Sequence, residues 1–122
     1  DPVVLREAIL REHYRGGQTF YVCPRIEDQG TLAEQLRELV PEVRIGIAHG
    51  RLPARQLEDV MTAFYERRID LLVTTNIIES GLDVPTANTL IVHRSDRFGL
   101  SQLYQLRGRI GRGGLRAGGV RG

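Results

Sequence analysis

The segment Gln102–Arg112 carries the residues of this chain that are best suited to chemistry. It sets three arginines among two glycines, directly behind a short apolar pattern with helical spacing. On a continuous helix, Gln105, Arg109 and Arg112 would share one polar face. Planar, permanently charged guanidinium groups suit bidentate contacts with phosphate. Two interpretations follow: a solvated basic helix end, or an arginine finger that stabilises charge on a phosphoryl group.

Basic charge is concentrated in the same part of the chain. Residues 1–93 carry 10 arginines against 14 acidic residues, whereas residues 94–122 carry 7 arginines against Asp96 alone. This asymmetry indicates a polyanionic partner, either nucleic acid or nucleotide phosphate. All 17 basic residues are arginine, and the absence of lysine excludes a P-loop, whose lysine reaches the β- and γ-phosphates.

Length and composition predict one globular domain. The chain has 122 residues, of which 41% are hydrophobic, and no apolar run approaches the roughly 18 to 20 residues that span a membrane. The single cysteine, Cys23, cannot form an internal disulfide, and we expect it in a reduced core rather than at a catalytic site. These features predict a cytoplasmic protein without a membrane partner.

The elements that must position the basic segment alternate between strand and helix. Helix starts are predicted at Pro2, at the capping box Thr31–Glu34 and at Pro53. Strands are predicted at residues 19–23, 43–48, 70–75 and 88–92, the third almost wholly apolar. This order predicts an α/β domain with a mainly parallel sheet, whose functional residues gather at the carboxyl ends of its strands.

Polar residues follow the strands at those predicted ends. Thr74 and Thr75 can offer hydroxyl and backbone N–H groups to a phosphate backbone. Gly81 permits close approach, and Asp83 can accept a hydrogen bond from a ribose hydroxyl. The alternative is an ordinary turn. A metal or acid–base pair of Glu79 and Asp83 is disfavoured, because no third ligand lies nearby.

Histidines give weaker signals. His49 follows a predicted strand and precedes Gly50, a position more typical of a turn histidine than of a catalyst. His13 and His93 show no spacing that suits metal ligation. The sequence therefore predicts no metal site.

Three segments together resemble a known family. Residues 74–85 and 98–112 are similar to motifs V and VI of superfamily 2 helicases and translocases, and Tyr21–Asp28 resembles motif IV. Within that superfamily the sequence of these motifs most resembles that of the bacterial transcription-repair coupling factors, with RecG-type helicases second. The resemblance covers residues 1–112.

The resemblance implies the second RecA-like domain of a two-domain, ATP-driven translocase of double-stranded DNA. ATP and Mg²⁺ would be held mainly by the first RecA-like domain, which carries the P-loop. The expected partners are double-stranded DNA, that first domain and, in the full protein, RNA polymerase. The expected role is in transcription-coupled DNA repair.

The same resemblance implies roles for individual residues. The catalytic set, which reaches the γ-phosphate and the partner domain, is Arg109, Arg112 and Gln105. The nucleotide-binding set is Gly81, Asp83 and Glu79. The set expected to contact DNA phosphates is Thr74, Thr75, Arg25, His49 and Gly50.

The end of the chain departs from the family pattern. Residues 113–122 are half glycine, and we expect them to form a flexible tail without the element that couples ATP turnover to movement. The isolated chain is therefore predicted to be inactive. Alternative functions are a non-enzymatic module that binds the nucleic-acid backbone, the equivalent domain of a RecG-type helicase, and a protein-docking domain.

Overall fold

The computed structural model describes residues 2–75 in full and the backbone of residues 87–92 and 102–105. Helices and strands alternate along most of these ranges. In chain order they are α1 (Pro2–Tyr14), β1 (Gln18–Val22), α2 (Ile26–Leu39), β2 (Ile45–Ala48), α3 (Ala54–Tyr65), β3 (Leu71–Thr74), β4 (Ala87–Val92) and β5 (Gln102–Gln105).

The strands form one mainly parallel sheet in the order β2-β3-β1-β4-β5. β1 pairs in parallel with β3 on one side and with β4 on the other, and β2 pairs in parallel with β3. β5 pairs antiparallel with β4 at the edge of the sheet. The predicted α/β architecture is therefore confirmed.

Helices cover both faces of the sheet. Tyr21 and Val73 point to the face on which α1 and α2 pack, where they join Ile9 and Leu36 in one buried cluster. The adjacent residues of these strands, Phe20 and Leu72, point to the opposite face, where they pack on α3. Side chains alternate between the faces of a strand, so each central strand feeds two cores. In the described part of the chain, no helix is long and apolar enough to cross a membrane.

The third strand is buried as its composition predicts. All four residues of β3 are buried, because β3 lies between β1 and β2 and is covered by helices on both faces. α3 also turns an apolar face to the sheet: Leu57, Val60 and Met61 pack with buried Phe64 against it.

Glycine ends the first helix. Gly16 adopts a left-handed conformation with φ of 86°. Its N–H donates to the carbonyl of His13 at 3.0 Å, and the N–H of Gly17 donates to the carbonyl of Glu12 at 2.9 Å. These two bonds form a Schellman motif, which satisfies carbonyls that the helix leaves open.

The start of α2 was predicted wrongly. The helix begins at Ile26 rather than near Thr31, which is exposed within the helix. Two acidic residues, Glu27 and Asp28, occupy the first turn, where backbone N–H groups favour negative charge. A Cβ placed on Gly30 would meet no atom within 4 Å, so this glycine lies on the helix surface and does not interrupt it.

The predicted helix over the start of the basic segment is also wrong. Gln102–Gln105 is a strand, with Gln102 opposite Val92 and Gln105 opposite Thr89. A short apolar run fits helix or strand equally well, and here the open edge of β4 supplies hydrogen-bond partners for an extended chain. Because Gln105 lies in this strand, it does not share a helical face with Arg109 and Arg112.

Candidate nucleic-acid interface

The carboxyl ends of the four parallel strands lie side by side. Thr74, the last residue of β3, is in register with Val22 of β1 and with Ala48 of β2. Val22 is in register with Val92 of β4. The predicted convergence of these four strand ends is confirmed. We call the residues that follow β1, β2 and β3, namely 23–25, 49–51 and 75, the carboxyl edge.

β3 delivers two threonines to this edge in different environments. Thr74 is 1% exposed, and its carbonyl accepts the N–H of Cys23 at 2.8 Å, which extends the β1–β3 ladder by one bond. Thr75 follows the strand and is half-buried. Of the two, Thr75 is therefore the threonine with surface to offer to a ligand.

Arg25 lies where β1 passes into α2. It is the residue that caps the helix, with extended backbone angles, and its carbonyl accepts the N–H of Asp28 at 3.0 Å. Its Nη2 lies 3.0 Å from Oε2 of Glu27, and its Nε lies 3.6 Å from Oδ2 of Asp28. The side chain is 57% exposed. The arginine is thus presented to solvent with two neighbouring carboxylates as partners.

A buried glutamine of α2 holds the loop that precedes Arg25. Gln29, which is buried, donates from Nε2 to the carbonyl of Cys23 at 3.3 Å. The Oε1 of Gln29 has no hydrogen-bond partner among the described residues. Gln29 was missed in the sequence, where nothing distinguishes it from a polar residue on an exposed helix face.

Cys23 behaves as a core residue. It is 1% exposed, and burial, together with the nearby charge of Asp28, raises the pKa of its thiol. A thiol held in its protonated form is a poor nucleophile. The packing role predicted for Cys23 is therefore confirmed, and its geometry argues against catalysis.

His49 and Gly50 form the turn after β2. The Nδ1 of His49 accepts the N–H of Arg51 at 3.1 Å, and its carbonyl accepts the N–H of Leu52 at 3.2 Å. In a neutral imidazole this leaves Nε2 as the donor. Gly50 is exposed. His49 is a turn histidine, as predicted. Its Nδ1 is used within the turn, so in the neutral imidazole Nε2 is the nitrogen that can donate to a ligand.

Arg51 completes the edge and was missed in the sequence. It is exposed, and its positive charge is the smallest of the causes that lower the pKa of Glu27. The signal that would have found it is its place, two residues beyond the predicted turn histidine. Arg25 therefore contacts the Glu27 carboxylate directly, whereas Arg51 acts on it only through its charge.

This arrangement suits contact with phosphate groups. Guanidinium, imidazole and backbone N–H groups are the donors that proteins direct at nucleic-acid backbones. Among the residues that the structure describes, no three His, Cys, Asp or Glu side chains are placed to hold a metal ion. The edge carries donors of the kinds that contact phosphate.

Several predicted site residues lie outside the described residues. They are Arg109, Arg112, Gly81, Asp83 and Glu79, together with the tail 113–122. The backbone of Gln105 is described and lies at the level of Thr89, toward the amino ends of the parallel strands. The roles of these residues stay predictions.

Comparison with known proteins agrees with the sequence and the fold. The family model described as the helicase conserved C-terminal domain matches residues 2–114. The transcription-repair-coupling factor of Rickettsia prowazekii (strain Madrid E) is 54% identical over 116 residues, and that of Escherichia coli (strain K12) is 56% identical over 112 residues. These alignments cover 95% and 92% of this chain.

The chain spans about a tenth of the length of these relatives, 10% in each case. Among solved structures, the C-terminal domain of S. cerevisiae Dbp5 L327V, bound to Gle1 H337R and IP6, matches with a TM-score of 0.57 and 22% identity. That match covers 75% of this chain and 52% of the other, and it supports the fold alone. With its family model matched over nearly its whole length, the chain belongs to the family of helicase conserved C-terminal domains.

Proposed function

We propose that this helicase C-terminal domain is the second motor domain of an ATP-driven translocase of double-stranded DNA. The observation that carries the proposal is the alignment of the strand ends, which brings Arg25, His49 and Thr75 to one edge of the sheet. Donors spaced along one edge can contact successive phosphates of a nucleic-acid backbone. Such contacts position a protein on the nucleic acid without reading its bases.

DNA contact is assigned to that edge. Arg25 and His49 would donate to phosphate oxygens through their side chains, and Gly50 allows the backbone to come close. Thr75 would add a hydroxyl or an N–H group, while Thr74, being buried, would act mainly by holding the strand end in place. Because these contacts would be made to charged phosphates, the affinity should fall as the salt concentration rises.

Nucleotide chemistry is assigned to residues of the last third of the chain. Arg109 and Arg112 would act as fingers that stabilise negative charge on the γ-phosphate of ATP, with Gln105 linking them to the partner domain. Gly81, Asp83 and Glu79 would lie near the nucleotide. A chain without lysine has no P-loop, so ATP and Mg²⁺ would be held mainly by a first RecA-like domain, and this chain alone would not turn over ATP.

The name of the relatives suggests the process in which the motor works. Proteins similar to this chain are called transcription-repair-coupling factors. We propose the same setting here: a bacterial, cytoplasmic protein in which the motor acts on DNA beside RNA polymerase. A RecG-type helicase or a non-enzymatic module that binds the nucleic-acid backbone would share the DNA-facing edge, and would differ in its partner or in ATP turnover.

The test is DNA-stimulated ATP turnover in the full-length protein that contains this domain, with Arg112→Ala as the variant. We expect a loss of roughly 10³-fold or more, the size associated with arginine fingers. Arg116→Ala is the matched control, since it removes an arginine from the glycine-rich segment and should leave turnover unchanged. Both variants must first be shown to fold and to bind ATP.

Each result has a distinct meaning. Loss in Arg112→Ala alone supports the finger. Equal losses in both variants would point to a general effect of basic charge and overturn it. Normal turnover with weakened, salt-sensitive DNA binding in Arg112→Ala would instead support the non-enzymatic backbone-binding role.

A further inference from the structure

Acidic residues stand at the edge that should meet a polyanion. Glu27 and Asp28 form the first turn of α2, and both contact Arg25, at 3.0 Å and 3.6 Å. Like charges at an interface oppose binding and set its specificity. These carboxylates would either only repel the DNA backbone, or also control how Arg25 binds it.

The Glu27 carboxylate occupies a hydrogen-bonding direction of the Arg25 guanidinium. It accepts a hydrogen bond from Nη2 of Arg25, and Arg51, in the loop after β2, adds a smaller electrostatic contribution. A hydrogen bond with its own backbone N–H, followed by the contact with Arg25, holds the pKa of Glu27 below its ordinary value. A backbone N–H at a helix start plus a guanidinium is a common set of donors for phosphate.

We propose that Glu27 is a displaceable substitute for phosphate, which holds Arg25 in place when DNA is absent and lowers the affinity of the edge for the DNA backbone. The inference rests on the proposed DNA contact of Arg25. It adds a residue that sets how tightly the domain grips each phosphate.

The exposure of the pair makes such an exchange feasible. The side chains of Arg25 and Glu27 are 57% and 65% exposed, and exposed ion pairs of this kind are worth little, because water competes for both partners. Arg25 can therefore turn from the carboxylate to a phosphate oxygen at small cost. A translocase must release each phosphate after binding it, so a built-in competitor for its arginine suits repeated stepping.

The test compares two variants of the 122-residue chain for binding to a labelled DNA duplex by fluorescence anisotropy at about 0.1 M salt. Glu27→Gln should tighten binding about threefold to fivefold, the scale of one charge contact in water. Glu34→Gln is the matched control. It removes the same charge from an exposed arginine pair on the same helix, and it lies about 10 Å further along α2, near one screening length.

A double-mutant cycle identifies the route of the effect. If Glu27 acts through Arg25, the gain from Glu27→Gln should shrink in an Arg25→Ala background, leaving only the direct repulsion between the Glu27 charge and DNA and any small share through Arg51. An equal gain in both backgrounds would overturn the inference, because net charge alone would then explain it. Circular dichroism of every variant establishes that all are folded.

The outcomes separate this inference from the proposed function. If Arg25→Ala weakens binding but Glu27→Gln behaves like Glu34→Gln, only the role of Glu27 is overturned. If neither the unaltered chain nor Glu27→Gln shows salt-dependent binding, the DNA contact itself fails and the inference fails with it. Tighter binding by Glu27→Gln that depends on Arg25 supports both.

Discussion

The two ends of the parallel sheet use polar residues in opposite ways. At the amino ends, polar contacts join distant parts of the chain: Arg44 with Asp70 across 26 residues, and Gln18 with Ile69 across 51. At the carboxyl edge and in the adjoining α2, the side-chain hydrogen bonds of Arg25, His49 and Gln29 reach residues no more than six positions away. One end holds the fold together, and the other keeps its donors close to solvent.

The amino end is built as a connected network. Arg44 donates to the Asp70 carboxylate from Nε at 3.0 Å, from Nη2 at 3.2 Å and from its backbone N–H at 2.8 Å. The backbone N–H of Asp70 returns a bond of 2.8 Å to the carbonyl of Arg44. Arg67, with a φ of 65°, donates from Nη2 to the carbonyl of Gly16. The difference teaches that long-range polar contacts fix the amino end, whereas the polar side chains of the carboxyl edge have mainly local partners that a ligand could replace.

The largest effect on stability is expected from Gln18 at the amino end. Gln18 donates from a buried Nε2 to the carbonyls of Phe64 and Ile69, both at 2.8 Å. Gln18→Ala should lower the free energy of unfolding by about 2–3 kcal/mol, because one buried and one partly buried carbonyl lose their donor. Chemical denaturation measures the change, and DNA affinity should stay the same.

Gln35→Ala is the control for that experiment. Gln35 is exposed on α2, so the same chemical change should alter stability by less than about 0.5 kcal/mol. A loss of stability no larger in Gln18→Ala than in Gln35→Ala would contradict the view that the amino end carries the fold.

A smaller effect is expected from Asp70 and depends on pH. Burial alone would raise the pKa of Asp70, but hydrogen bonds from Arg44 outweigh burial and hold that pKa below its ordinary value. The stabilisation is therefore complete above about pH 4, the ordinary range of aspartate, and is lost as the pH falls through the lowered pKa.

Asp70→Asn should remove this contribution, which is about 1 kcal/mol after allowance for the exposure of Arg44. Unfolding curves at pH 7 should separate the variant from the unaltered chain, and the gap should close toward pH 2. Glu34→Gln, in an exposed pair, serves as control. A gap that stays constant with pH would show that the Asp70 carboxylate does not act through its charge.

The smallest effect on stability is expected at the carboxyl edge. His49→Ala removes the acceptor for the N–H of Arg51, in a turn where water can replace it, so the cost should be about 0.5 kcal/mol or less. DNA affinity should fall, since Arg51 and Gly50 lose their fixed turn. His49→Asn keeps a side-chain acceptor, as asparagine commonly does in turns, and should recover the turn without the imidazole donor.

Comparison of these two histidine variants sharpens the contrast between the ends. If both weaken DNA binding equally, the imidazole itself contacts phosphate. If only His49→Ala does so, its role is to hold the turn. A stability loss as large as that of Gln18→Ala would place His49 in the structural network instead.

The sequence predicted most of the architecture because its signals are local. The apolar run at residues 70–75, the glycines that end α1 and Pro53 before α3 each act within a few residues. The order of elements then predicted a parallel sheet and the strand ends that carry Arg25, His49 and Thr75. The start of α2 was missed because a capping box inside a helix looks the same as one at its beginning.

Other features were settled only by tertiary structure. Gln102–Gln105 is a strand because the edge of β4 is available to it, and nothing within these four residues reports that edge. The neighbourhood of Arg25, Glu27 and Arg51 likewise depends on how the loops after β1 and β2 come together. By itself, the sequence determined the motifs, the absence of lysine and the alternation of strands and helices. Which backbone groups pair, and which carboxylate comes to face which arginine, was decided by packing, because partners far apart in the chain leave no local pattern.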